Sequence, residues 1–169
     1  MKKIHLLLVL GFCVSACEPT IEYSSTDTIN WNTRKVSLNP SDSLVAGSSY
    51  LSIYSQIYSF TEHRKHDLTA TISMRNISKT DTVYISKAEY FDTHGKPIRT
   101  YFSHPIYLAP METVEIVIDE TDKVGGTGAN FVFDWHAKPS THTPHFEGVM
   151  ISTSGQQGLS FTTQGIVIE

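Results

Sequence analysis

Between Ser48 and Ile168 the apolar residues fall at every second position, in short runs cut by turn residues. A period of two is the spacing of a strand with one buried face, so this pattern limits the chain to β-structure. Leu51, Ile53, Ser55 and Ile57 alternate with Ser52, Tyr54, Gln56 and Tyr58. Leu68, Ala70, Ile72 and Met74 alternate with Thr69, Thr71, Ser73 and Arg75. From Thr82 to Phe91 the apolar set begins as Val83 and Ile85 and resumes as Ala88 and Tyr90, a change of phase that predicts a bulge. Asp92-Thr93-His94-Gly95-Lys96 predicts a hairpin loop with Gly95 at positive φ. The partner strand runs from Ile98 to Leu108, bent at Pro105. Val114, Ile116 and Ile118 continue the alternation, as do Phe131, Phe133, Trp135 and Ala137. Glu147 to Thr153 and Leu159 to Ile168 make a last pair across the turn at Gly155 to Gly158. There is no long amphipathic helix and no internal repeat. The expectation is an all-β, immunoglobulin-like antiparallel β-sandwich, with barrel closure as the alternative.

The N-terminus carries a different kind of information. Lys2 and Lys3 precede an apolar stretch from Ile4 to Val14, too short to span a bilayer, which takes about 20 apolar residues. Val14-Ser15-Ala16-Cys17 then matches the lipobox of bacterial lipoproteins. The expected organisation is a signal peptide over 1–16, a lipidated Cys17 with a Ser/Thr-rich flexible tether over 17–47, and the sandwich over 48–169. Ile29, Trp31, Val36 and Leu38 leave open a first strand inside that tether. The expected location is the bacterial cell envelope, lipid-anchored and facing the periplasm. Glu18, where an aspartate would favour inner-membrane retention, leans toward the outer membrane.

Cleavage simplifies the chemistry. Cys13 leaves with the signal and Cys17 is capped, so the expected mature domain has no thiol, disulfide or thiolate metal site. Removing Lys2 and Lys3 takes the 13 basic residues to 11 against 17 acidic ones, a net charge of about −6. Dispersed, mildly acidic charge argues against nucleic acid as a partner.

The stretches Leu68 to Asn76, Tyr90 to Lys96, Gly125 to Phe131 and Gly148 to Thr153 resemble the bacterial lipoprotein family known as domain of unknown function 3124. The resemblance covers roughly Ser48 to Ile168. Its most specific part is the Gly-rich stretch with the following Phe131-Val132-Phe133-Asp134-Trp135 strand. The hairpin Tyr90-Phe91-Asp92 to Gly95-Lys96 also resembles turns in immunoglobulin-like domains of other envelope lipoproteins. The resemblance implies the fold and the envelope location. It implies no activity, substrate or catalytic residue.

Candidate chemistry is sparse. Gly125-Gly126-Thr127-Gly128-Ala129-Asn130 is not a phosphate loop, because a strand follows it and no Lys-Ser/Thr pair is in place. Its backbone N–H groups could still form an anion-holding concavity, against the plainer reading of a sharp inter-strand turn. Asp134 and His136 share one strand face and extend the candidate contact surface formed by Gly125, Gly126, Thr127, Gly128 and Asn130. His136, His142 and His145 suggest a metal site, against surface histidines on a strand and a loop interrupted by Pro144. No serine sits in a nucleophile elbow, and the carboxylates at Asp119, Glu120 and Asp122 read as a solvated rim. Tyr50, Tyr54 and Tyr58 fall on one face of a predicted strand and suggest a contact surface or a half-buried sheet face. The sequence therefore leads to a membrane-tethered, non-enzymatic binding module without a cofactor, whose partner is an envelope protein or ligand. The alternative is a periplasmic metal- or small-ligand-binding protein that uses the Gly-rich loop and nearby histidines.

Overall fold

The computed structural model describes residues 29–153 and 158–169. The expected signal segment, Cys17 and the expected tether up to residue 28 lie outside the described residues, as do residues 154–157. The chain passes through a 3-10 turn at Trp31–Arg34 and then β1 (Val45–Ile53), β2 (Gln56–Ser59), β3 (Thr61–Asp67) and β4 (Thr69–Arg75). It continues through β5 (Val83–Phe91), β6 (Pro97–Phe102), β7 (Ile106–Leu108), β8 (Thr113–Ile118) and β9 (Ala129–Ala137). β10 (His145–Ser152), β11 (Leu159–Gln164) and β12 (Ile166–Val167) complete it. One sheet has the order β12-β1-β9-β5-β6, with β7 also on β5; the second has the order β11-β10-β4-β8. Among the described residues β2 and β3 pair only with each other. The pairing is antiparallel throughout, and the two large sheets pack as a sandwich.

The alternation in the sequence becomes the core. Along β9 every odd residue from Ala129 to Ala137 is buried and every even one is partly exposed. Phe133 of β9 stacks on Phe146 of β10 with centroids 4.2 Å apart and planes 6° from parallel, which ties the sheets together. Phe131 and Tyr90 extend this row of rings inside the first sheet. Burying a side chain of this size stabilises by roughly 1.5–3 kcal/mol relative to exposure. The phase change in β5 is a bulge: the register with β9 shifts between Ile85 and Lys87. Ser86 is the extra residue, and its hydroxyl donates to the Asp134 carbonyl at 3.1 Å. The predicted partner strand divides into β6 and β7 around Ser103–Pro105, both paired to β5. At Gly165 the last segment leaves β10 and crosses to β1; a Cβ there would lie 2.9 Å from that of Phe146.

Two regions differ from the sequence pattern. Residues 29–44, grouped with the tether, lie against the domain. Trp31 is buried with its ring centroid 4.8 Å from that of Phe102. The Arg34 guanidinium donates to Glu112 at 2.7 Å, and Val36 N–H donates to the Pro105 carbonyl at 2.9 Å. The segment is neither free chain nor a full strand: it is a 3-10 turn capped by the Asn30 side chain, followed by a single bridge from Lys35 to Ile106. The second difference lies in the run from Leu51 to Ile57. β1 stops at Ile53, and the chain bends outward because Ser55 is drawn into the interior, where its hydroxyl meets that of Tyr90 at 2.9 Å. Tyr50, Tyr54 and Tyr58 therefore share no face. Tyr54 packs edge-on against Phe161, and Tyr58 stands out on β2.

Candidate functional site

The Gly125–Gly128 loop is closed by its neighbours. A Cβ on Gly125 would lie 1.9 Å from the Tyr90 hydroxyl and 2.8 Å from that of Ser55, so only glycine fits above this buried pair. Burial, aided by the nearby Asp122 carboxylate, pushes the Tyr90 phenol up to about 12. The Gly125 carbonyl accepts from the Thr93 N–H and hydroxyl, and the Gly126 carbonyl accepts from the N–H groups of Ser55 and Gln56. Gly126, at φ 72°, donates its own N–H to the Lys123 carbonyl. Gly128 N–H donates to the Thr93 hydroxyl at 3.0 Å. Below the loop, Asp122 is 3% exposed and accepts from Arg99 at 3.1 Å. Carbonyls and N–H groups are thus turned toward the protein rather than toward an anion. A shallow groove of about 230 Å³ remains between this loop, the Asp92–His94 turn and Tyr58 with Lys65.

Asn130, Asp134 and His136 all occupy the partly exposed face of β9, but only Asn130 stands at the loop end, and Asp134 and His136 are carried away from it. Residue 136 lies about 20 Å along the strand from residue 130, at the usual rise per residue. Asp134 accepts from the Ser48 hydroxyl at 2.7 Å, and His136 stands between Ala46 and Tyr84 in the ladder. Both line a shallow hollow with Gly47, Ser86 and Glu169. His145 begins β10 opposite Arg75, in the other sheet, and His142 is exposed in the loop before it. Among the described residues no group of three His, Cys, Asp or Glu side chains is placed to hold a metal ion. No helix among them is long and apolar enough to cross a membrane.

A third concavity lies at the opposite end of β1, β5 and β9 from the Gly-rich loop. It encloses about 550 Å³ between residues 41–44, 80–84 and 138–140. Leu44, Tyr84 and Pro139 supply apolar walls, and Ser41, Ser43, Thr80, Thr82 and Ser140 supply hydroxyls. The segments converge because β1 and β5 begin here and β9 ends here. The Asn76 amide braces one side. It donates to the carbonyls of Asp81, Leu108 and Ala109, and its oxygen accepts from Ser78 N–H at 2.9 Å. Lys138 bonds Asp81 at 2.7 Å. That bond holds the Asp81 carboxyl below its ordinary value and the Lys138 ammonium above its own. Sequence patterns missed this site, because its parts are ordinary Ser/Thr/Asp turns far apart in the chain.

A second missed feature is the ribbon formed by β2 and β3. Phe60 at its tip is 91% exposed with φ 63°, and Tyr58 is 56% exposed. Arg64 lies 5.4 Å from the Phe60 ring centre, and Lys65 lies 5.5 Å from that of Tyr58.

A model of the family described as Protein of unknown function (DUF3124) matches residues 46–168. No curated protein matches the chain. The solved structure described as that of Thermotoga maritima 1070 is similar at 11% identity, over 71% of this chain and 94% of its own, with a TM-score of 0.43.

Proposed function

We propose that this chain, which belongs to the family described as Protein of unknown function (DUF3124), is a lipid-anchored envelope protein that binds a hydroxyl-rich ligand without transforming it. The anchor is Cys17, and the domain faces the periplasm, with the outer membrane favoured over the inner by Glu18. The cavity at the start of β5 carries the proposal. Its volume of about 550 Å³ falls within the roughly 300–1,000 Å³ of small-ligand sites. Hydroxyls both donate and accept, so the Ser and Thr side chains around it can meet the hydroxyls of a polyol in either sense. Tyr84 and Pro139 offer faces for the apolar side of a sugar ring. The paired carboxylate and ammonium that line the cavity, Asp81 and Lys138, are each pushed further into the charged form. A proton-transfer catalyst needs a group poised near the working pH, and this pair is shifted the other way, which favours binding over catalysis.

An immunoglobulin-like reading of the sandwich is supported by its central pairs. β4 with β8 and β5 with β9 correspond to the B–E and C–F pairs of that fold. β1 takes the place beside β9 that the last immunoglobulin strand would take, and β10 takes the place beside β4 of the first.

The test is titration of the full chain with soluble glycan fragments from the cell envelope, followed by amide NMR. Shifts should cluster at residues 41–44, 80–84 and 138–140. Lys138→Met, which removes one of the cavity's charged contacts, should weaken binding about 3- to 10-fold. No saturable shift with any fragment, or full affinity in Lys138→Met, would sink the reading.

A further inference from the structure

The β2–β3 ribbon has its own architecture. Gln56 pairs with Asp67, Ile57 with His66 and Tyr58 with Lys65; the register then jumps so that Ser59 meets Thr61. The jump throws Glu62, His63 and Arg64 into a bulge and leaves Phe60 alone at the turn. The base is fastened. Gln56 donates to Asp67 at 2.7 Å, Lys123 pairs with the same carboxylate, and Gly126 accepts from the backbone of Ser55 and Gln56. The tip has no such support. A two-stranded ribbon without a third strand is marginal in water. A bulky side chain at positive φ adds strain that a glycine would not have. The fold therefore holds a large apolar ring in water, on a strained backbone, at the end of a braced stalk.

We infer that this ribbon is a membrane-contact element: Phe60 and Tyr58 enter the boundary between headgroups and acyl chains of an anionic bilayer while Arg64 and Lys65 meet lipid phosphates. The chemistry fits each partner of the pair. Aromatic rings settle at the membrane interface, and cations near an anionic surface are attracted to it. Each exposed ring here already carries a cation beside it. At the base, Asp67 is neutralised by Lys123, and at the tip Arg64 and Lys65 outweigh the exposed Glu62, a net charge of about +1 on a chain whose formal charge is −4. The size of the element also points to lipid. A protein partner typically requires about 800 Å² and 20–30 residues on each side, more than the tip from Tyr58 to Lys65 can offer. A wedge of two rings is enough for a bilayer when another attachment keeps the surface close and raises the effective concentration. The stretch from Cys17 to Ile29 spans up to about 40 Å when extended, longer than the roughly 30 Å of β9, so the ribbon end can reach the bilayer that holds the anchor. The cavity end then faces away from that bilayer.

Phe60→Trp in the full chain, reconstituted into vesicles of phosphatidylglycerol with phosphatidylcholine or of phosphatidylcholine alone, reports directly on the tip, since Trp31 and Trp135 are buried. In the anionic vesicles the new indole should shift to the blue and be quenched by brominated lipid. Arg64→Ser and Lys65→Ser should each lower the docked-to-undocked ratio roughly five-fold. Tyr58→Trp provides a second reporter if the first disturbs the turn. Phe60→Gly should keep the fold at least as stable and abolish docking. An indole that stays water-exposed in both vesicles overturns the inference. So does equal shielding in the two compositions, and so does shielding by a soluble protein fraction without vesicles, which would assign the ribbon to a protein. Vesicle flotation of the same samples reads the anchor separately.

Discussion

At one end of β1, β5 and β9 the Gly125–Gly128 loop directs its polar groups inward; at the other, hydroxyls and the Asp81–Lys138 pair face a cavity. The same strands supply both ends. What differs is who satisfies the backbone and side-chain dipoles. Thr93, Ser55 and Gln56 answer the carbonyls of Gly125 and Gly126. Asp122 is held by Arg99, and Tyr90 by Ser55. A ligand at that end would have to displace protein partners that are already in place. At the cavity end Asn76 takes the structural role, joining three carbonyls from beneath, and the side chains above it are left to line open space. Glycine richness therefore marks close packing here, while the accessible polar surface comes from undistinguished turns.

The comparison breaks most easily at Gly125. Gly125→Ala puts a methyl 1.9 Å from the Tyr90 hydroxyl, which must overpack the site and part the Tyr90–Ser55 bond. The combined cost should be about 2–5 kcal/mol in urea unfolding. Pro139→Ala at the cavity end should stay within about 0.5 kcal/mol, as for a surface position without special contacts. Equal, small effects at both sites would mean that the loop is not locked.

A smaller effect is expected from Tyr90→Phe, which leaves the buried Ser55 hydroxyl without its partner and should cost about 1–3 kcal/mol. It carries a pH signature. The Tyr90 phenol is pushed up to about 12, so above the ordinary value near 10 the unfolded chain loses this proton before the folded one does. Stability of the parent protein should fall as pH rises from about 10 to 12, and Tyr90→Phe should lose that part of the slope in alkaline melting curves.

The finest distinction uses one aspartate from each end. Asp81 is held below its ordinary value first by the Lys138 hydrogen bond, and Asp92 first by the backbone N–H of Lys96. Both support the fold above the ordinary carboxylate range and lose that contribution as pH falls through their lowered values. Salt separates them, because it screens an exposed ion pair more than a backbone hydrogen bond. Carboxyl NMR titrations should show the Asp81 midpoint rising with added salt and that of Asp92 moving less. Identical salt responses would remove the contrast in how the two ends are held.

Much of the fold was legible because a buried strand face leaves a period of two in the chain. Phe131, Phe133 and Trp135 announce β9, and the slip between Ile85 and Ala88 announces the bulge at Ser86. Gly95 at φ 75° and the Asp92–Lys96 turn follow from local chemistry alone. The candidate sites were not legible in this way. Asp81 and Lys138 are 57 positions apart, and only the strand order brings them together. Ile29, Trp31, Val36 and Leu38 left a first strand open, but a local pattern cannot name Phe102, 71 positions away, as the ring that buries Trp31. Phe60 stood beside a run of charged residues from Glu62 to Asp67. An isolated aromatic next to such a run is a signal that could have marked the ribbon, since a half-buried sheet strand would not carry so many charges.

The burial of Trp31 has a mechanical side. A load pulling on the chain before Ile29 reaches the domain through the Trp31–Phe102 contact and the Val36–Pro105 bond, at the margin formed by β6 and β7. These attachments lie upstream of β1, whose ladder with β9 runs over its whole length from Val45–Ala137 to Ile53–Ala129. Residues 29–44 can peel away first, lengthening the connection and absorbing the pull while the two sheets stay closed. Under such a load the segment would act as a shock absorber in series with the fold.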